Sequence, residues 1–349
     1  MWQKYGAWAK TSRAFLLHAR IGYMTRLSSR VAVVFLFTLL ALVHDPVAPS
    51  AVAAQQQPPQ QQPTFRGGSD VVRVFATVLD HDGRLVPNLT KEQFEVRDEG
   101  KPQSLTQFDN TPQPIRLIVM LDVSGSMEGN LPLLRDASDE LFARLGHDDV
   151  ARVGTFGRKV EISPTFTHDR KELRAALPEM IEPDAPTPLW RGIDQAMDAF
   201  GSDRETRRVV LVLSDGKDTG VGGGGFQRHV SSQGGVIDRA REEDVMIYAV
   251  GMRSRMRHTG PMDPRTAMLA DMPDPGLARV AEESGGGYIE IRGGEDLGSA
   301  FARVADELHA QYLLGYAPPK RDGKVHGIEV RVTEKGLKPR ARKSYVAPK

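Results

Sequence analysis

Hydrophobic positions along the chain fall into three successive patterns. The first is an unbroken apolar run from Val31 to Val43, preceded by Arg26 and Arg30 and ended by His44-Asp45-Pro46. At about 13 residues it is shorter than the roughly 20 a membrane-spanning helix needs, but it suits the core of an export signal. A buried helix would show polar positions at helical spacing, and none interrupt the run. Ala51-Val52-Ala53 then offers the small-x-small pattern that a signal peptidase requires. Residues 1–54 are therefore expected to be a signal peptide or an N-terminal anchor, with Met1 and Met24 as alternative starts. Gln55 to Pro63 cannot bury apolar surface, so 55–64 is expected to be an extended, solvated linker.

The second pattern has period two. Val72, Val74, Ala76 and Val78 alternate with Arg73, Phe75, Thr77 and Leu79, and His81-Asp82-Gly83 supplies a turn signal. Phe94 to Arg97 alternates again before Asp98-Glu99-Gly100. Short strands punctuated in this way predict a small β-sandwich-like, Ig-like domain over 65–112. It contains no cluster of histidine and carboxylates.

The third pattern predicts an α/β fold with a doubly wound, mostly parallel sheet over 113–317. Ile115 to Leu121 and Val209 to Leu213 are nearly continuous apolar runs, the mark of strands buried on both faces. Further strands are expected at 151–156, 160–163, 245–250 and 288–291. Helices are expected at 131–145, 170–180, 189–200, 236–243, 276–283 and 297–309. Alternating strands and helices imply βαβ crossovers, which place ligands beyond the carboxyl ends of the strands. The remainder, 318–349, is expected to be a basic β segment presenting a solvated edge.

Composition narrows the chemistry. The chain has no cysteine, which excludes disulfides, thiolate metal sites and a cysteine nucleophile. A formal net charge of +1 supplies no global field for nucleic acid. The nine histidines show no HExxH or zinc-type spacing. No GxSxG elbow, phosphate-binding P-loop or GxGxxG cradle is present.

Where the strand rule says to look, oxygen-bearing side chains converge. Asp122, Ser124 and Ser126 follow the first apolar strand; Ser214, Asp215 and Asp218 follow the second; Thr187 opens a helix. Mg²⁺ wants about six oxygens, several of them water, and two carboxylates with three hydroxyls make a partial shell with a position open. Gly125 is expected to allow the tight backbone that aims both serines inward. The competing reading of Asp122 to Ser126 is a strand-to-helix turn carrying ordinary capping residues. Asp218 reads as a loop carboxylate.

In this order, Asp122-x-Ser124-x-Ser126, Thr187 and Asp215 resemble the metal-ion-dependent adhesion site (MIDAS) of von Willebrand factor A (VWA) domains, with Leu117 to Leu121 and Leu213 to Gly216 strengthening the match. The layout also resembles VWFA-related proteins predicted in acidobacteria, whose closing strands compare with Tyr312 to Tyr316 and Ile328 to Val332. The resemblance implies that Ser124, Ser126 and Thr187 bind metal directly, while Asp122 and Asp215 act directly or through water. It further implies Mg²⁺, or Mn²⁺ or Ca²⁺, as the cation, and a protein partner whose acidic side chain completes the shell. The sequence departs from the family at Asp184-Ala-Pro-Thr187-Pro188, where prolines replace an expected glycine-rich lead and should stiffen the loop. Gly220 to Gly225 is expected to be slack at the rim of the site.

The function expected is an exported, non-enzymatic, metal-dependent adhesion or assembly module, with no nucleic-acid partner and membrane contact only through an uncleaved anchor. The location expected is the periplasm, the cell envelope or the exterior. The alternative is a metal-independent scaffold in an envelope complex. A metal-assisted hydrolase is the remote alternative, because no candidate base accompanies the hydroxyls.

Overall fold

In the computed structural model, residues 71–220, 231–253, 263, 272–292 and 296–349 are described. The expected signal segment and linker, most of the Gly220 to Gly225 run, and Met256, Met262 and Met268 lie outside them. No helix among the described residues is long and apolar enough to cross a membrane.

The chain opens with β1 (Val72–Leu79), β2 (Phe94–Asp98), β3 (Lys101–Gln103) and β4 (Leu105–Asp109). The α/β region follows as β5 (Ile115–Asp122), α1 (Leu131–Arg144), β6 (Val150–Phe156), β7 (Val160–Ile162), α2 (Arg170–Ala175), α3 (Leu189–Asp198) and β8 (Arg207–Ser214). It continues with α4 (Gln233–Glu243), β9 (Val245–Met252), α5 (Gly276–Ser284), β10 (Tyr288–Ile291) and α6 (Leu297–His309). Four strands close the chain: β11 (Tyr312–Tyr316), β12 (Val325–Val332), β13 (Lys338–Arg340) and β14 (Ser344–Val346).

The strand order β10-β9-β8-β5-β6-β7 is that of a doubly wound sheet, parallel throughout except for β7. The apolar runs of β8 and β9 are buried at every position, as strands covered on both faces must be. On one face Leu117, Val119 and Leu121 pack with Leu134 and Leu141 of α1 and Phe301 and Val304 of α6. On the other, Ile118, Met120, Val210 and Val212 pack with Ile193 of α3, Ala240 of α4 and Val280 of α5. The chain reverses direction across the sheet between β5 and β8, the switch point where such folds bind ligands.

Helix α2 stops at Ala175, short of the expected 170–180. Pro178 disfavours helical backbone at Leu177, and Arg135 Nη1 donates to the freed Pro178 carbonyl at 2.8 Å.

The β strands pair differently from the segments read in the sequence. One sheet runs β13-β1-β11-β4 and the other β14-β12-β2-β3. They enclose a common core that includes Val74, Val96, Tyr312, Tyr316, Ile328 and Tyr345. The segments 65–112 and 318–349 are thus two halves of one sandwich, and β11 belongs to it rather than to the α/β sheet. Period-two patterning specifies a strand's faces but not its partner, and these partners stand more than 200 residues apart. Between sandwich and α/β sheet, Gln311 Nε2 donates to Thr77 Oγ1 at 2.7 Å and to Tyr248 Oη at 3.1 Å.

Candidate metal centre

All five residues singled out by the sequence lie at the carboxyl edge of the parallel sheet. Asp122 ends β5 and Asp215 follows β8, while Ser124 and Ser126 sit in and beside a 3-10 turn, Gly125–Met127. The turn is closed by Met127 N donating to the Ser124 carbonyl at 3.0 Å. Gly125 earns its place by close approach: a Cβ there would meet the Asp184 backbone nitrogen at 3.1 Å. It does not stand among the positive-φ residues, so the reason for glycine is space rather than backbone conformation.

Four of the five form one hydrogen-bonded chain. Asp122 Oδ1 accepts from the Ser124 backbone N–H at 2.9 Å, and the Ser124 and Ser126 hydroxyl oxygens stand 3.0 Å apart. Ser126 Oγ donates to Asp215 Oδ1 at 2.6 Å. Thr187 joins by proximity: its Oγ1 lies 3.0 Å from where a Cβ on Gly216 would stand, so a larger residue beside Asp215 would press on the Thr187 side chain. Thr187 is clamped by Thr219, whose hydroxyl accepts from Thr187 N at 2.9 Å and whose N–H donates to the Thr187 carbonyl at 3.1 Å.

Ser214, not among the five, supports Asp122 from behind by donating to its Oδ2 at 2.6 Å. Its place at the end of an apolar strand was visible in the sequence; its choice of Asp122 as acceptor was not. Glu182 is a second supporting residue: its N–H donates to the Val123 carbonyl at 2.9 Å and its Oε2 accepts from Arg158 N at 2.9 Å. Asp218 is held by backbone: Oδ2 accepts from Gly220 N at 3.1 Å, Oδ1 from Trp190 N in the first turn of α3 at 3.4 Å, and its own N–H donates to Asp274 Oδ2 at 3.0 Å.

The electrostatics are those of two carboxylates out of water. Asp122 is fully buried, and burial pushes its pKa up to about 7; hydrogen bonds from Ser124 and Ser214 pull against this and the Asp215 charge adds to it. Burial likewise raises Asp215, against the Ser126 hydrogen bond. Asp215 Oδ2 is buried without any hydrogen-bond partner. Such an orphaned acceptor costs free energy unless a cation or donor meets it. Two carboxylates and three hydroxyls, all hard oxygen donors, fit Mg²⁺, Mn²⁺ or Ca²⁺.

Among the described residues, Asp80, His81 and Asp82 also gather potential ligands, a histidine–carboxylate cluster that the sequence reading of 65–112 did not expect. A turn explains that cluster: Asp80 Oδ1 accepts from the N–H groups of Asp82 and Arg84 at 2.9 and 2.8 Å, and Asp82 pairs with Arg84.

Comparison with known proteins follows the same residues. A von Willebrand factor type A domain model matches residues 117–217, from β5 through the residues just after Asp215. Among solved structures, a von Willebrand factor type A protein from Catenulispora acidiphila is 12% identical, with a TM-score of 0.43 over 81% of this chain and 76% of that one. An aerotolerance-related membrane protein from Bacteroides fragilis is 16% identical, with a TM-score of 0.41 over 56% of this chain and 98% of that one. A pilus adhesin from Lactobacillus rhamnosus GG is 11% identical, with a TM-score of 0.41 over 75% of this chain and 42% of that one. No curated protein matches by sequence. The segment that matches a von Willebrand factor type A domain, residues 117–217, spans β5 to β8 of the mostly parallel sheet.

Proposed function

We propose that this chain is an exported, metal-dependent protein-binding module. Asp122, Ser124, Ser126, Thr187 and Asp215 hold a divalent cation, Mg²⁺ or a close substitute, at the carboxyl edge of the sheet. The observation that carries this reading is Asp215 Oδ2, a buried carboxylate oxygen left without a partner beside the serine hydroxyls. The cation supplies a Lewis-acidic coordination position open to an acidic side chain of a protein partner.

The chain's own residues do the positioning. Ser214 and the Ser124 backbone N–H fix both oxygens of Asp122. Ser126 turns Asp215 so that one oxygen is satisfied and the other remains free. The Thr219 clamp holds Thr187 between Pro186 and Pro188, which favours a pre-formed threonine position over one that swings.

The chemistry proposed is coordination without turnover. Serine and threonine hydroxyls do not ionise near neutral pH and so make poor general acids or bases, and both carboxylates are committed to the cation. Export rests on the Val31 to Val43 run and the Ala51-Val52-Ala53 pattern.

Isothermal calorimetry with Mg²⁺ and Mn²⁺ on the wild-type chain, Asp122→Ala and Asp215→Ala tests the reading. Saturable one-site binding is expected for the wild type and loss of it in both variants. Folded wild-type protein that gives no heat with either cation, and whose partner binding survives chelation, would replace this reading with a metal-independent scaffold.

A further inference from the structure

The opposite edge of the parallel sheet carries the reverse electrostatic problem. There, at the amino ends of β8 and β9, a cleft of about 200 Å³ opens between the α/β sheet and the sandwich. Arg73, Arg204, Arg208, Arg241, Asp244 and Arg342 line it, and the same six also line an enclosed pocket of about 30 Å³. The five arginines come from different parts of the fold: β1, the segment before β8, β8 itself, α4, and the connection between β13 and β14.

Much of this positive charge is directed at backbone or left unmatched. Arg73 donates through both Nη atoms to the carbonyls of Arg204 and Glu205, at 2.9 Å each. Arg241 Nε donates to Ser344 Oγ at 2.6 Å and its Nη1 to Asp238 Oδ1 at 2.7 Å. Arg342 donates to Asp244 Oδ1 and to the Arg73 carbonyl, at 2.6 Å each, which leaves its Nε buried without a partner.

Arg208 is the least compensated. It is 2% exposed, and its Nη1 has no hydrogen-bond partner. The nearest carboxylate oxygen, Glu243 Oε2, stands 3.8 Å away, beyond hydrogen-bond reach, and Glu243 Oε1 already accepts from Arg239. Burial, with the neighbouring Arg204 charge, pulls the Arg208 pKa down, and the charges of Asp244, Glu243 and Asp203 offset this only in part. Arg207 Nε, in the wall of the inner pocket, is a third buried donor without an acceptor.

A buried guanidinium whose counter-ion stands beyond hydrogen-bond reach is costly, so orphan guanidinium donors gathered around one cavity favour an anion there. Planar forks converging from several elements suit a group that accepts on many faces, which a tetrahedral oxyanion does better than a planar carboxylate. The volume would hold several waters at about 30 Å³ each, room enough for one such group.

We propose that this cleft is a phosphate-binding site, in which Arg204, Arg208 and Arg342 bind a phosphate group carried by a small ligand or present as the free ion. The bound group bridges the sandwich and the α/β sheet, because Arg342 belongs to one and Arg208 to the other. The site stands at the edge of the sheet remote from Asp122 and Asp215 and does not depend on them.

The test is calorimetric titration of the full chain with inorganic phosphate, with chelator present and ionic strength held constant by sodium chloride, alongside thermal melts. One saturable site and a melting temperature rising by several degrees are expected. Arg204→Ala, a change at an exposed residue, and Arg208→Met should each weaken binding about ten-fold or more. In chloride alone, Arg208→Met should melt at or above the wild-type temperature, since it removes an uncompensated buried charge, and this also establishes that the variant folds. A second titration with glycerol phosphate separates the sources: tighter binding assigns the phosphoryl group of a larger ligand, and tighter binding of inorganic phosphate assigns the free ion. A response to phosphate no larger than that to chloride, or one unchanged in both arginine variants, would overturn the proposal.

Discussion

A single hydroxyl decides how well Asp122 is held. Ser214 Oγ donates to Asp122 Oδ2 at 2.6 Å, while the other oxygen accepts from the Ser124 N–H. Ser214→Ala removes a hydrogen bond to a buried carboxylate and frees the side chain to turn. The expected result is cation affinity lower by about 10–100-fold, the range for loss of an outer partner of a ligand. Unfolding stability should fall by about 1–3 kcal/mol in the cation-free protein. Calorimetry and urea unfolding measure the two separately; unchanged affinity beside lowered stability would make Ser214 a purely structural residue. The sequence placed Ser214 at a strand end but could not assign this role, because strand periodicity does not say which neighbour a side chain across the sheet will choose. The same limit hid the Thr219 clamp on Thr187. It also made the case for Gly125 one of backbone freedom, when the need is clearance from Asp184. Residue order did bring out the five oxygen-bearing positions, because the ends of β5 and β8 meet at the switch point of the sheet.

Between elements, Asp149 acts as a staple. Its Oδ1 accepts from Ile115 N at the start of β5 at 3.0 Å, and its Oδ2 accepts from Gly146 N at 2.6 Å and meets His309 Nε2 at the end of α6 at 2.7 Å. Burial alone would raise its pKa, but the hydrogen bonds from His309, Gly146 and Ile115 together outweigh it and hold the group below its ordinary 3.8. An unfolded chain therefore binds more protons at this site than the folded one as pH approaches the carboxylate range. The stabilisation is complete above the unfolded pKa and is lost as pH falls through the folded one. The stability difference between wild type and Asp149→Asn should be fully present at about pH 5 and shrink below about pH 4. Urea unfolding across that range measures it, and a difference that persists undiminished at about pH 2 would mean the carboxylate is not the group that matters. Elements of this kind were legible where one pattern governed them. The nearly continuous apolar runs of β5, β8 and β9 announced strands, and α3 and α6 showed one apolar face each. The end of α2 was not, because Leu173 and Leu177 keep helical spacing past the point where Pro178 stops the helix.

For the whole molecule, the two ends of the described chain depend on each other. β12 lies between β14 and β2, and without it β2 and β3 would remain a two-stranded hairpin, which is marginal in water. β1 would lose β13, and Asp98 would lose His326 Nδ1 and the Tyr345 hydroxyl, keeping only Tyr316 among these buried partners. Phe94, Val96 and Tyr312 would lose the cover of Ile328 and Tyr345. The ion pair of Arg340 with Glu307 Oε2 on α6 would disappear with the same strands, leaving a nearly buried glutamate with Arg303 on its other oxygen. The basic composition of 318–349 suggested a solvated edge because charge was counted without its faces. In β12 the exposed positions are Val325, Gly327, Glu329 and Arg331, while His326 and Ile328 point into the sandwich. A chain ended at residue 317, where the sequence pattern of the α/β region stops, should therefore fail to fold cooperatively. The expected signs are exposed apolar surface that binds a hydrophobic dye and loss of a sharp urea transition. A cooperative transition with the full chain's midpoint would instead show that the α/β sheet stands alone and that the closing strands serve only their own sandwich.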